Sequence, residues 1–136
     1  MREMTVEAAL DQIRPVTDFV NAQLAELGCS ERVRIQVDVA IDELFGNIAQ
    51  YAYDPETGPA TVRVDVEDDP LCVIITFIDH GVPYDPLSAE FVDTTHLPAK
   101  ERPVGGLGLY MVKKTMDDVS YSYQDGQNIL TIRKRI

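Results

Sequence analysis

Apolar residues recur at helical spacing early in the chain. Leu10, Ile13, Val16, Phe19, Val20, Leu24 and Leu27 fall mostly on one helix face. Pro15 sits inside that pattern, where its ring either kinks the helix or marks its first turn. Gly28 supplies the stop. Ser30, ahead of Glu31, is a candidate N-cap for a second helix with a stripe of Val33, Val37, Ala40, Ile41, Leu44 and Ile48. That helix is expected to run to about Tyr53, before Asp54-Pro55 breaks it.

The period then changes to two. Val62, Val64 and Val66 alternate with Arg63, Asp65 and Glu67, as in a half-buried strand. Asp68-Asp69-Pro70 makes a turn. Residues 71–78 are a nearly unbroken β-rich run, expected to be a central strand. Residues 3–6 suit a short edge strand. From His80 to Val104 the pattern dissolves among Pro83, Pro86, Pro98 and Pro103. A connection of that length inside a compact domain is usually functional, and it reads as a lid. Leu107, Tyr110, Met111 and Lys114 resume a helix to about Met116. Residues 119–123 and 129–133 flank Asp125-Gly126 and close the chain as a β-hairpin. Helices followed by mostly antiparallel strands predict an α+β, two-layer sandwich, with the helices on one face of a mostly antiparallel mixed sheet.

The length of 136 residues fits a single domain, residues 1–136, with one hydrophobic core. Charge narrows the partners. A formal net charge of −11 repels nucleic-acid backbones and anionic lipid surfaces, so no nucleic acid and no membrane is the expectation. The apolar run at 71–78 is too short to span a bilayer. The charged start, Met1-Arg2-Glu3, does not resemble a secretory signal, and a cytoplasmic location is expected. Cys29 and Cys72 lack zinc-site spacing and are expected to be free thiols.

Three short patterns carry candidate chemistry. Glu43 and Asn47 are four residues apart and share one helix face bordering the apolar stripe. An amide oxygen there can ligate a hydrated Mg²⁺, and a carboxylate beside it can accept a proton. Asp79 ends the central strand, with Gly81 two residues on. A carboxylate at that point can accept the exocyclic amine of a purine, while glycine leaves room for the ring. Gly105, Gly106, Leu107 and Gly108 precede a helix, where backbone N–H groups and the helix dipole favour phosphate. No Gly-Lys-Ser/Thr follows, which separates this loop from the lysine-containing P-loop. Each pattern taken singly has an ordinary reading: a solvated helix face, a strand-ending turn, a flexible loop.

Their order is more specific. Glu-x₃-Asn on a helix, Asp-x-Gly at a strand end, a long lid and a glycine-rich helix start together resemble the Bergerat ATP-binding fold of the GHKL superfamily. Asp42-Glu43-Leu44-Phe45-Gly46-Asn47, Asp79-His80-Gly81-Val82-Pro83, Gly105 to Leu109, Met116-Asp117-Asp118-Val119 and Asn128-Ile129-Leu130-Thr131 resemble the bacterial anti-sigma-factor serine kinases of the SpoIIAB and RsbW type. The resemblance covers nearly the whole chain. It implies ATP and Mg²⁺ as ligands, with Glu43 as general base and Asn47 as metal ligand. Asp79 would hold the adenine amine, Gly81 would lie beside the ring, and Gly106 and Gly108 at the phosphates. It further implies a sigma factor and a STAS-domain antagonist as partners, with a homodimer possible. Many relatives of this type carry an arginine just before the glycines. Here Val104 stands there, and the nearest cations are Arg102 and Lys100. The resemblance therefore leaves two readings open: a serine/threonine kinase acting on a STAS-domain partner, or a nucleotide-dependent binding module with little turnover.

Overall fold

The computed structural model describes residues 1–88 and 106–136. Strand β1 (Arg2–Glu7) leads through a 3-10 turn, Leu10–Gln12, into α1 (Ile13–Glu26). Pro15 thus lies in the first turn of α1, where a missing N–H leaves no helical bond unmade. Gly28 takes φ +69°, a left-handed conformation that ends the helix. The Ser30 hydroxyl accepts the Val33 N–H at 3.2 Å and caps α2 (Glu31–Asn47), a contact worth about 1 kcal/mol. Past Asn47 the same helix widens into one π-helical turn, Ile48–Ala52.

The remaining elements are β2 (Pro59–Glu67), β3 (Cys72–Asp79), a 3-10 turn at Pro86–Ser88, α3 (Gly106–Thr115), β4 (Asp118–Gln124) and β5 (Gln127–Arg135). The sheet order is β1-β2-β3-β5-β4, which puts β3 at the centre and β1 at an edge, as the apolar patterns imply. All four pairings are antiparallel. β4 runs parallel to β3, but β5 is inserted between them, so no parallel pair forms. The β4–β5 hairpin turns on Asp125 at φ 54° and Gly126 at φ 75°.

One face of the sheet is the floor of the core. Val62 and Val64, Ile75 and Phe77, and Leu130 and Ile132 line up across β2, β3 and β5 and are buried. Val16, Val20 and Leu24 of α1 and Val37, Ile41 and Phe45 of α2 close over them. Burying each such side chain contributes roughly 1.5–3 kcal/mol. The apolar rows end in a polar one: Ala60, Asp79 and Asn128 are register partners, and Asp79 and Asn128 are only 4% and 6% exposed. That row is where the core meets the candidate site.

Candidate functional site

A cavity of ≈ 140 Å³ opens at this polar end of the core. Leu44, Asn47, Ile48, Tyr51 and Ala52 form its helical wall, and Phe77, Asp79, Leu130 and Asn128 its sheet wall. Val82, Pro83, Tyr84 and Pro86, with Tyr121, complete it. The volume suits one flat heterocycle rather than the roughly 300–1,000 Å³ of pockets that take whole drug-sized ligands. Two of the residues singled out in the sequence, Asn47 and Asp79, therefore face one space from opposite walls.

Asp79 is held at one oxygen. Its Oδ1 accepts the Gly81 N–H at 2.9 Å and the Asn128 amide at 2.9 Å. Among the described residues no bond falls on Oδ2. Gly81 is required by a close approach: a Cβ there would lie 2.6 Å from the Ala52 carbonyl carbon and 2.7 Å from its Cβ, with the Ala52 oxygen closer still. The Val82 N–H donates to that same Ala52 oxygen at 3.0 Å. The loop after β3 is thus seated on the end of the π-turn, with Tyr53 as a second clasp. The Tyr53 hydroxyl donates to the Pro59 carbonyl at 2.6 Å and accepts the His80 N–H at 2.7 Å.

Glu43 sits one turn before Asn47, half-buried and outside the cavity wall. Burial pushes its carboxyl above the ordinary glutamate range, and the hydrogen bond with the Asn47 side chain partly offsets this. Its carboxylate rests against the first turn of α3. A Cβ on Gly108 would come 2.6 Å from Glu43 Cδ and would collide with Oε2. Gly106 and Leu107 open that helix. The geometry therefore joins Glu43, Asn47 and Gly108 on one side, and Asp79 and Gly81 on the other, through the single span of α2 and its π-turn. Gly105, Arg102 and Lys100, and most of the expected lid, lie outside the described residues.

Other polar residues have local partners. The Lys113 ammonium donates to the Leu87 carbonyl at 3.4 Å, and Lys114 lies 5.5 Å from the centre of the Tyr110 ring. The exposed His80 ring has Gln127 at 3.4 Å. Among the described residues no three His, Cys, Asp or Glu side chains gather as a metal-ligand set, and no helix is long and apolar enough to cross a membrane.

Sequence reasoning assigned no role to three residues at this site: Ala52, Tyr121 and above all Asn128, which stood only within a motif of the resembling family. A signal for Asn128 exists. It occupies an inward position of β5, in phase with the buried Leu130 and Ile132, where the alternation calls for an apolar side chain.

Comparison with known proteins adds an independent line. The family described as histidine kinase-like ATPase domain matches residues 6–134. The serine-protein kinase RsbW of Bacillus cereus strain G9842 is 30% identical over 95 residues, covering 68% of this chain and 58% of that protein. The serine-protein kinase RsbW of Bacillus mycoides strain KBAB4 is 29% identical over 104 residues, with the same coverage. The chain thus spans less than two thirds of the length of these curated relatives. Among solved structures, the Acinetobacter baumannii histidine kinase AdeS superposes on 99% of this chain and 68% of its own, with a TM-score of 0.49 and 13% identity.

Proposed function

The chain belongs to the histidine kinase-like ATPase domain family, and on that footing we propose that it is a cytoplasmic, ATP–Mg²⁺-binding anti-sigma regulator with serine/threonine kinase activity. Its protein substrate would be a STAS-domain antagonist, and its sequestered partner a sigma factor. The relatives named serine-protein kinase agree with the branch that the motifs resemble.

One observation carries this reading: Asn47 and Asp79 face a common cavity while the carboxylate bonded to Asn47 rests on the glycine-rich start of α3. A cavity of ≈ 140 Å³ is on the scale of one flat base, so on this reading the phosphates would extend from it. The direction on offer runs along α2 toward Gly106 and Gly108, where the first-turn N–H groups of α3 have no helical acceptors. Asp79 would accept the purine amine through its open oxygen. Asn47 suits a hard cation, because an amide oxygen can supply one ligand while phosphate and water supply the others. Bound there, Mg²⁺ would neutralise charge on the transferring phosphoryl group. Glu43 would take the proton from the attacking serine hydroxyl, a task helped by its raised proton affinity.

The test is phosphate transfer from γ-labelled ATP to a STAS-domain protein encoded beside this chain, with parent and Glu43→Ala compared. Label on the partner serine with the parent, and none with Glu43→Ala despite near-parental ATP affinity, is the expected result. Equal labelling by both would remove Glu43 from the chemistry.

A further inference from the structure

Asn128 is a polar side chain placed where a core residue belongs. Burying an amide there is unfavourable unless all four of its hydrogen-bonding positions are met, and all four are. Nδ2 donates to Asp79 Oδ1 at 2.9 Å and to the Val82 carbonyl at 2.9 Å. Oδ1 accepts the Tyr84 N–H at 3.1 Å and the Tyr121 hydroxyl. The neighbours also dictate which way the amide points. Turned over, its oxygen would face a carboxylate and a carbonyl, and its NH₂ would face the Tyr84 N–H.

This fixed amide determines what Asp79 can offer. Oδ1 already receives two N–H donors, from Gly81 and Asn128, so a proton on that atom would point at other protons. Among the described residues Oδ2 receives none. Asp79 is thereby presented to the cavity as an acceptor. A purine bearing an exocyclic amine matches it, whereas one bearing a carbonyl at that place sets lone pairs against lone pairs. Sites that pair a buried polar group with one partner discriminate strongly against the partner lacking it.

We propose that Asn128 is the positioning residue that gives this site its base selectivity, by locking Asp79 as an acceptor for an amine-bearing purine. The inference rests on the nucleotide reading above and deepens it. Asn128 acts through Asp79 and needs no contact with the base.

The test measures affinities for ATP and for GTP, each with Mg²⁺, by calorimetry on the full chain. The parent, Asn128→Asp and Tyr121→Phe are compared, with thermal melts alongside. Asn128→Asp keeps the shape and both acceptor contacts but exchanges the donor for an acceptor. Two adjoining carboxyl groups then share a proton, and Asp79 is no longer a fixed acceptor. The ATP-to-GTP affinity ratio should fall by about tenfold or more, the worth of one charge-assisted hydrogen bond. Tyr121→Phe removes a bond to Asn128 Oδ1 and alters the cavity wall, so affinity for both nucleotides can fall, but it leaves both Nδ2 donors in place and the ratio should stay within about threefold of the parent. If Asn128→Asp does not fold, Asn128→Thr and Asn128→Val decide. They share a shape and differ in one hydroxyl, and the Thr variant should keep the higher ratio. An unchanged ratio in the folded Asp variant, or equal ratios in the Thr and Val variants, overturns the assignment of Asn128. A parent that binds neither nucleotide overturns the nucleotide reading itself.

Discussion

Gly81→Ala tests whether the loop after β3 is truly seated on the π-turn. The added methyl would lie 2.6 Å and 2.7 Å from Ala52 carbon atoms and would overlap the Ala52 oxygen. Two of the three atoms are backbone, so no side-chain rotation relieves the clash. Gly81 has no positive φ, which leaves sterics as the whole effect. Retreat of the loop would break the 3.0 Å bond from Val82 to Ala52 and strain the 2.9 Å bond from Gly81 to Asp79. Two hydrogen bonds at about 1 kcal/mol each, with about 1 kcal/mol of residual overpacking, sum to about 3 kcal/mol. For a chain of this size that lowers Tm by roughly 10 °C. Gly46→Ala is the matched control. A Cβ at Gly46 meets nothing within 4 Å among the described residues, and the position is inside α2. Alanine there should raise stability by roughly 0.5–1 kcal/mol. Urea unfolding of parent and both variants gives the comparison. A Gly81→Ala protein within about 1 kcal/mol of the parent would mean that the Ala52 contact does not hold the loop, and the steric argument would fail.

Three further outcomes follow from the site. Desolvation raises the Glu43 carboxyl above its unfolded value, so its ionisation subtracts stability as pH rises through the folded value. Glu43→Gln should therefore be more stable than the parent near neutrality, and the difference should vanish on acidification below the ordinary glutamate range; denaturation curves at several pH values would show a flat difference if burial does not act this way. Gly108→Ala meets the movable end of a side chain rather than backbone, so its stability cost should stay below about 1 kcal/mol while transfer falls with the displaced Glu43 carboxylate; parental transfer rates would separate the two residues functionally. Asp79→Asn exchanges an acceptor oxygen for a donor or leaves the Asn128 amide facing a wrong partner, and ATP affinity should drop by about 100-fold or more in calorimetry. Retained affinity would place the base elsewhere.

Much of the fold was legible because burial here follows local periodicity. The stripe Val37, Ala40, Ile41 and Leu44 is buried as its spacing requires, and Ser30 caps where a cap residue precedes a helix. Pro15 could be read two ways from sequence, and the 3-10 turn before it settles that it starts the helix. The antiparallel character of every pairing was not legible, since it depends on β5 inserting between β3 and β4, a choice made by long-range contacts. Of the candidate site, Glu43, Asn47, Asp79, Gly81 and Gly108 were singled out by pattern. The reason for Gly81 was not: it answers to Ala52, which is distant in sequence. Asn128 was visible only as part of a family motif and its role was not legible, because its partners come from β3, β4 and the loop after β3.

The π-helical turn at Ile48–Ala52 has a consequence for how chain length can vary. Such a turn amounts to one extra residue wound into an α-helix. It advances the phase of everything after Asn47, and that phase is what brings the Ala52 carbonyl onto Gly81. Removing the exposed Gln50 would delete no wall of the cavity, yet it would turn the helix end away from the loop that holds Asp79. Between Glu43 and Ala52, then, the phase of the helix is itself part of the geometry of the candidate site. Substituting Gln50 should therefore leave the site in place, whereas an insertion or deletion within the turn should carry the Ala52 carbonyl off Gly81.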